Sequence, residues 1–93
     1  MTYEIIFTST YEKRAKKFFN QHSNLLPTYE KILNLLELNP KHPSLRLHKL
    51  NGKLQHLHSI SINMQYRIIL EFLIRGNEIL LIDIGEHDAV YRK

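Results

Sequence analysis

The stretch LHKLNGKLQHLHSISINMQYRIILEF, residues Leu47–Phe72, decides the fold. Its second half alternates: Tyr66, Ile68, Leu70 and Phe72 fall on one side, Arg67 and Glu71 on the other, the period-two pattern of a half-buried strand. Leu54 to Ile62 reads the same way, and the two runs meet near Asn63-Met64, so they form an antiparallel hairpin. With those two residues as the turn, Ile60 opposes Arg67, His58 opposes Ile69 and His56 opposes Glu71. His56, His58, Arg67 and Glu71 then share an open face, and Leu57, Tyr66, Ile68, Leu70 and Phe72 share a covered one. A one-residue slip buries Arg67 without an evident partner, a costly arrangement for a guanidinium.

Upstream of the hairpin, TYEIIFT suits a first strand. Ser9 or Thr10 then caps a helix in which Tyr11, Ala15, Phe18, Phe19 and His22 recur at helical spacing, with Lys13, Arg14, Lys16 and Lys17 pointing mostly away. A lysine cluster of this kind is ordinarily a solvated face. Pro27 opens a second helix with Tyr29, Ile32, Leu33 and Leu36 as its buried stripe, and Asn39-Pro40 stops it. The segment NPKHPSLRLHKLNG reads as a long ordered connection over the surface. Downstream, a turn near Arg75-Gly76-Asn77 leads to a last strand, Ile79 to Ile84, which Gly85 breaks. The expectation is a β-α-α-β-β-β order: an α+β domain spanning residues 1–93, with both helices on one face of a small, mostly antiparallel sheet.

Ninety-three residues suffice for one domain, which buries roughly 60–65% of the surface its unfolded chain exposes. With 43% apolar and 24% charged residues the chain is neither low-complexity nor disordered in composition, and no apolar run approaches a membrane span. MTYEIIFTST lacks the basic start and apolar core of a signal peptide, so a cytoplasmic location is expected. The lack of cysteine excludes disulfides, cysteine nucleophiles and cysteine-based zinc sites.

A net charge of +4 favours an anionic partner. Its distribution is more telling. Between Glu37 and Glu71 there is no acid, against Lys41, Arg46, Lys49, Lys53, Arg67 and four histidines. His22 and His42 read as structural. His56 and His58, on one face as HLH, form too weak a pattern for zinc among so many cations, and no metal site or cofactor is expected. No glycine-rich elbow surrounds Ser59 or Ser61, which argues against a serine nucleophile.

The order of elements, the NPKHPSLRLHKLNGKL connection, the QYRIILEF strand and the terminal DIGEHDAVY together resemble the RelE/ParE superfamily of toxins from bacterial toxin–antitoxin modules. LHKLNG and IGEHDAVY are most similar to the YafQ branch and related RelE-type messenger-RNA interferases. The resemblance implies a ribonuclease that enters the ribosomal A site, cuts messenger RNA there without a metal, and is silenced by a cognate antitoxin. Operator DNA is contacted only indirectly, through that antitoxin.

In such a reaction the ribose 2′-hydroxyl attacks the adjacent phosphate, and the resemblance assigns the roles. Arg67 matches the arginine of the YR strand and offsets transition-state charge. His87 is the general acid, and His48, in HxLxG, is the general base or orients the phosphate; the two histidine roles are interchangeable. Tyr91 stacks a base or holds the 2′-hydroxyl. Lys49, Lys53, His56 and His58 are candidate substrate-binding residues. The chain departs from the family where RelE carries two lysines, here His58 and Ile60, and where YafQ carries a second histidine and an acid, here Ser61 and Gln65. A YafQ arginine near the end of the last strand aligns with Asp83. The alternatives within the superfamily are a ParE-like inhibitor of DNA gyrase, and a catalytically weak RelE homologue that binds an antitoxin.

Overall fold

Thr8 sets the start of the first helix, α1 (Ser9–Gln21): its hydroxyl accepts from the Tyr11 backbone N–H at 3.1 Å. The same hydroxyl donates to the Leu81 carbonyl at 3.0 Å, so the cap lies one residue before the expected Ser9 or Thr10, where it also ties the helix to the sheet. The computed structural model describes residues 2–73 and 76–86. Before α1 runs β1 (Glu4–Phe7); after it come α2 (Leu26–Leu38), β2 (His48–Lys49), β3 (His58–Ser61), β4 (Tyr66–Phe72) and β5 (Glu78–Glu86). Pro27 falls in the first turn of α2, where its missing N–H has no helical partner to lose.

The five strands make one sheet in the order β1-β5-β4-β3-β2, antiparallel except for the β1–β5 pair. The α+β architecture expected from the sequence is thus present, with one added strand. His48 and Lys49, within the expected surface connection, pair with Ser59 and His58 and extend the sheet edge. Both helices pack on one face. Tyr11, Phe18, Ile32 and Leu36 meet Ile60, Ile62, Ile68, Leu70, Ile79 and Leu81 there to form the main core.

The hairpin register differs from the expected one by a single residue. Ser61 opposes Arg67, Ile60 opposes Ile68, Ser59 opposes Ile69 and His58 opposes Leu70. The turn is longer than two residues: Ile62 and Asn63 both donate their backbone N–H to the Tyr66 carbonyl, and the Asn63 side chain accepts from Gln65 and Tyr66. Burial explains the shift. The expected register leaves Ile60 and Ile62 on the open face, whereas here they are 0% and 6% exposed, and burying each contributes about 1.5–3 kcal/mol. β4 keeps the faces expected for it, but every β3 side chain changes side.

Two further expectations are corrected. Gly85 does not break β5, which continues to Glu86 with Gly85 paired to Arg67 in mid-ladder. Arg14 does not simply point away from α1: its guanidinium lies 2.9 Å from the carboxylate of Asp83. Asp83 reaches the helix side because β5 carries an extra residue, Ile82, in a bulge between the Ile69–Asp83 and Leu70–Leu81 pairs. On the opposite face Ile82 joins Leu57, Ile69, Leu50 and Leu54, so the loop before β3 covers part of the face expected to be open.

Candidate functional site

Arg67 stands in the middle of the sheet, with Ser61 of β3 directly on one side and Gly85 of β5 on the other. Opposed residues point to the same face, and this face is the one turned away from the helices. Gly85 contributes no side chain to the row. Arg67 Nη1 donates to the Asn63 carbonyl at 2.7 Å, which fixes one edge of the guanidinium at the hairpin turn. The Arg67 Nε–H and the Ser61 hydroxyl are both buried and have no hydrogen-bond partner among the described residues.

Leaving a buried donor unmade costs about 1–3 kcal/mol, so two such groups on paired residues mark a place that, among the described residues, is short of an acceptor. One carries a permanent, planar charge and the other a rotatable hydroxyl. Together they can hold an oxyanion.

His48 shares this face, because it opposes Ser59, which in turn opposes Ile69. Strand spacing and rise put its Cα roughly 12 Å from that of Arg67, two strands across and two residues along. Its side chain is exposed. Lys53 is exposed in a short helical turn (Gly52–Leu54), and that turn seats Leu54 on the same side of the sheet. His56 lies exposed in the turn before β3, so its expected pairing with Glu71 is not formed.

Lys49 and His58 stand apart from this group. They oppose each other across β2 and β3 on the helix side, where the His58 and Phe72 rings form a T-shaped pair with centroids 5.0 Å apart. Burial, and secondarily the charge of Lys49, lowers the His58 pKa below its ordinary value. The four residues expected as substrate contacts therefore divide between the two faces. His87 and Tyr91 lie outside the described residues; the chain leaves β5 at Glu86, opposite Tyr66. Among the described residues no three histidine or acidic side chains gather as a metal-binding group.

Sequence reasoning did not nominate Asn63, which both closes the turn and anchors Arg67. A signal was present, since an Asn between two strands frequently accepts from the backbone two residues on, as an Asx-turn. Nothing local pointed to Ser61 as the neighbour of Arg67, because that depends on the register. Tyr66 belongs to the core side, T-shaped against Phe18 and tilted against His22 with centroids 5.0 and 4.7 Å away.

Comparison with known proteins agrees with this architecture. No curated protein matches the chain. Among solved structures, YafQ from Escherichia coli BL21(DE3) superposes with a TM-score of 0.77 at 13% identity, covering 96% of this chain and 98% of that one. The E. coli DinJ–YafQ toxin–antitoxin complex gives 0.76 at 15% identity, over 98% and 99% of the two chains. The Staphylococcus aureus YoeB–YefM toxin–antitoxin complex gives 0.69 at 20%, over 91% and 97%. At these identities the likeness establishes the fold. A family model described as RelE-like toxin of type II toxin–antitoxin system HigB matches residues 6–87, nearly the whole chain, and the chain therefore belongs to this family of HigB-like, RelE-type toxins.

Proposed function

We propose that this toxin is a ribosome-dependent messenger-RNA endoribonuclease that uses the ribose 2′-hydroxyl as nucleophile. The observation that carries the reading is Arg67: one edge of its guanidinium is held by the Asn63 carbonyl, and its Nε–H and the hydroxyl of the opposing Ser61 are buried with no partner among the described residues. A phosphate oxygen seated there accepts from both groups. The fixed positive charge then offsets the charge that grows on the pentacoordinate phosphate.

The 2′-oxygen must lose a proton as it attacks, and the 5′-oxygen must gain one as it leaves. His48 on the same face and His87 beyond β5 supply the two imidazoles. Tyr91 stacks the base or holds the 2′-hydroxyl, and Lys53 and His56 bind the flanking backbone. Acid and base roles of His48 and His87 are interchangeable in this scheme. Each contributes about 10²- to 10⁴-fold.

The substrate is messenger RNA in the ribosomal A site, in the cytoplasm, and a cognate antitoxin silences the toxin, as DinJ accompanies YafQ and YefM accompanies YoeB in their complexes. The test is primer extension on a defined messenger with and without programmed ribosomes, in EDTA, comparing the native chain with His87→Ala. Ribosome-dependent cuts that vanish in the variant support the reading. Growth arrest without cuts overturns it in favour of a gyrase-type target.

A further inference from the structure

Two recesses flank α2 on the helix side of the sheet, and they differ in charge. One, of about 450 Å³ between β1 and α2, is edged by Glu4, Glu30 and Glu37. The other, of about 460 Å³, lies under the end of α2, with Tyr3, Leu38, Leu47 and Phe72 as walls and Asn39, Lys41 and His58 among its polar groups. Lys49 stands directly opposite His58 on the neighbouring strand. The first recess repels a carboxylate, whereas the second offers the Lys41 ammonium and the His58 imidazole, with Lys49 across from His58, all three from the part of the chain that has no acid.

The second recess also has a vacant hydrogen-bonding position. His58 Nδ1 is buried without a partner among the described residues, while the ring packs perpendicular to Phe72. Leu38, 65% exposed, forms an apolar lip. Apolar walls with a few convergent polar groups are the usual make-up of a site that takes one anchoring side chain.

We propose that this recess is the anchor for an acidic, apolar segment of the neutralising antitoxin. A leucine or phenylalanine of the partner fills the space between Leu47 and Phe72, and an adjacent carboxylate is held by Lys41, Lys49 and the Nδ1–H of His58. The inference rests on the toxin–antitoxin reading above and adds where the partner is gripped. The sheet separates this anchor from Arg67, so capture and catalysis use different faces. Lys49 and His58 accordingly serve protein recognition.

The test is an NMR titration of the isotope-labelled full chain with acetyl-Leu-Glu-Phe-Glu-amide and, separately, acetyl-Leu-Lys-Phe-Lys-amide. Expected are shifts confined to Tyr3, Leu47, His58 and Phe72 with the acidic peptide. Leu38→Asp combined with Lys41→Glu should weaken that binding at least tenfold, with melting temperature and ribosome-dependent cleavage unchanged. Equal binding of the lysine peptide, or shifts confined to the Glu4–Glu30–Glu37 recess or to the Arg67 face, overturns the proposal. Peptide binding at this recess in a chain that cuts no RNA supports the anchor and removes the nuclease reading. Cleavage without peptide binding does the reverse.

Discussion

Asn63 holds Arg67 from the hairpin turn: its carbonyl accepts from the guanidinium at 2.7 Å, and its side-chain oxygen accepts from the Gln65 and Tyr66 amides at 2.9 Å each. One residue therefore sets both the length of the turn and the position of the charge. Asn63→Ala removes the two side-chain bonds and should cost about 1–2 kcal/mol, a fall of roughly 4–16 °C in melting temperature. Asn63→Asp retains the acceptor and should recover most of the loss. Thermal denaturation of the pair checks this, and cleavage should fall further than the unfolded fraction explains.

Arg67→Lys keeps the positive charge but loses the planar fork that can serve Asn63 and a phosphate oxygen together. Cleavage should fall about 10²-fold while the melting temperature changes little. Single-turnover kinetics at saturating ribosome complex measures this. A rate within threefold of native would remove Arg67 from the chemistry.

Arg14 and Asp83 join α1 to the bulge in β5, with the carboxylate buried and the guanidinium side chain 47% exposed. Arg14→Ala leaves the carboxylate with fewer partners, and its exposed half discounts the loss to about 1–2 kcal/mol. A urea-denaturation double-mutant cycle with Asp83→Asn should show a coupling of about 1 kcal/mol. Purely additive losses would mean that the pair contributes no stability of its own.

Tyr11 is fully buried, and its hydroxyl lies 3.0 Å from that of Tyr29. Burial first, and then the neighbouring Tyr29, raises its pKa far above the ordinary tyrosine value. Above the unfolded-state value near 10 the unfolded chain gives up this proton and the folded chain keeps it. Stability from Tyr11 is therefore complete below about pH 10 and declines above it, by up to about 1.4 kcal/mol per pH unit. Tyr11→Phe should flatten the fall in melting temperature between pH 10 and 11 relative to the native chain.

His58 has the opposite dependence. Its pKa is lowered by burial and by Lys49, so below about pH 6.5 the unfolded chain binds a proton that the folded chain takes up only at lower pH. Its contribution is complete above that pH and is lost as pH falls through the folded value. His58→Phe, which keeps an aromatic ring against Phe72, should lose less stability than the native chain between pH 7 and 5, as read by chemical denaturation.

The amino-acid sequence by itself determined the order of the two helices and the four longer strands, the buried stripes of both helices and the two faces of β4. Those follow from periodicity, which each segment carries alone. It also determined that Arg67 faces away from the core, since Tyr66, Ile68, Leu70 and Phe72 leave that strand no other choice. β3 was different. In HSISI the histidine and the isoleucines occupy one parity and the serines the other, so alternation there does not say whether the isoleucines are drawn to the core or His58 to solvent. Only the tertiary structure decided it: the side chain of Asn63 lengthens the turn by closing on two amides, and the helices supply the apolar surface that Ile60 and Ile62 bury. That one-residue shift moved His58 to the helix side and set Ser61 beside Arg67. Pairing between distant residues, such as Arg14 with Asp83 or His48 with Ser59, depends on long-range register, and no local pattern encodes it.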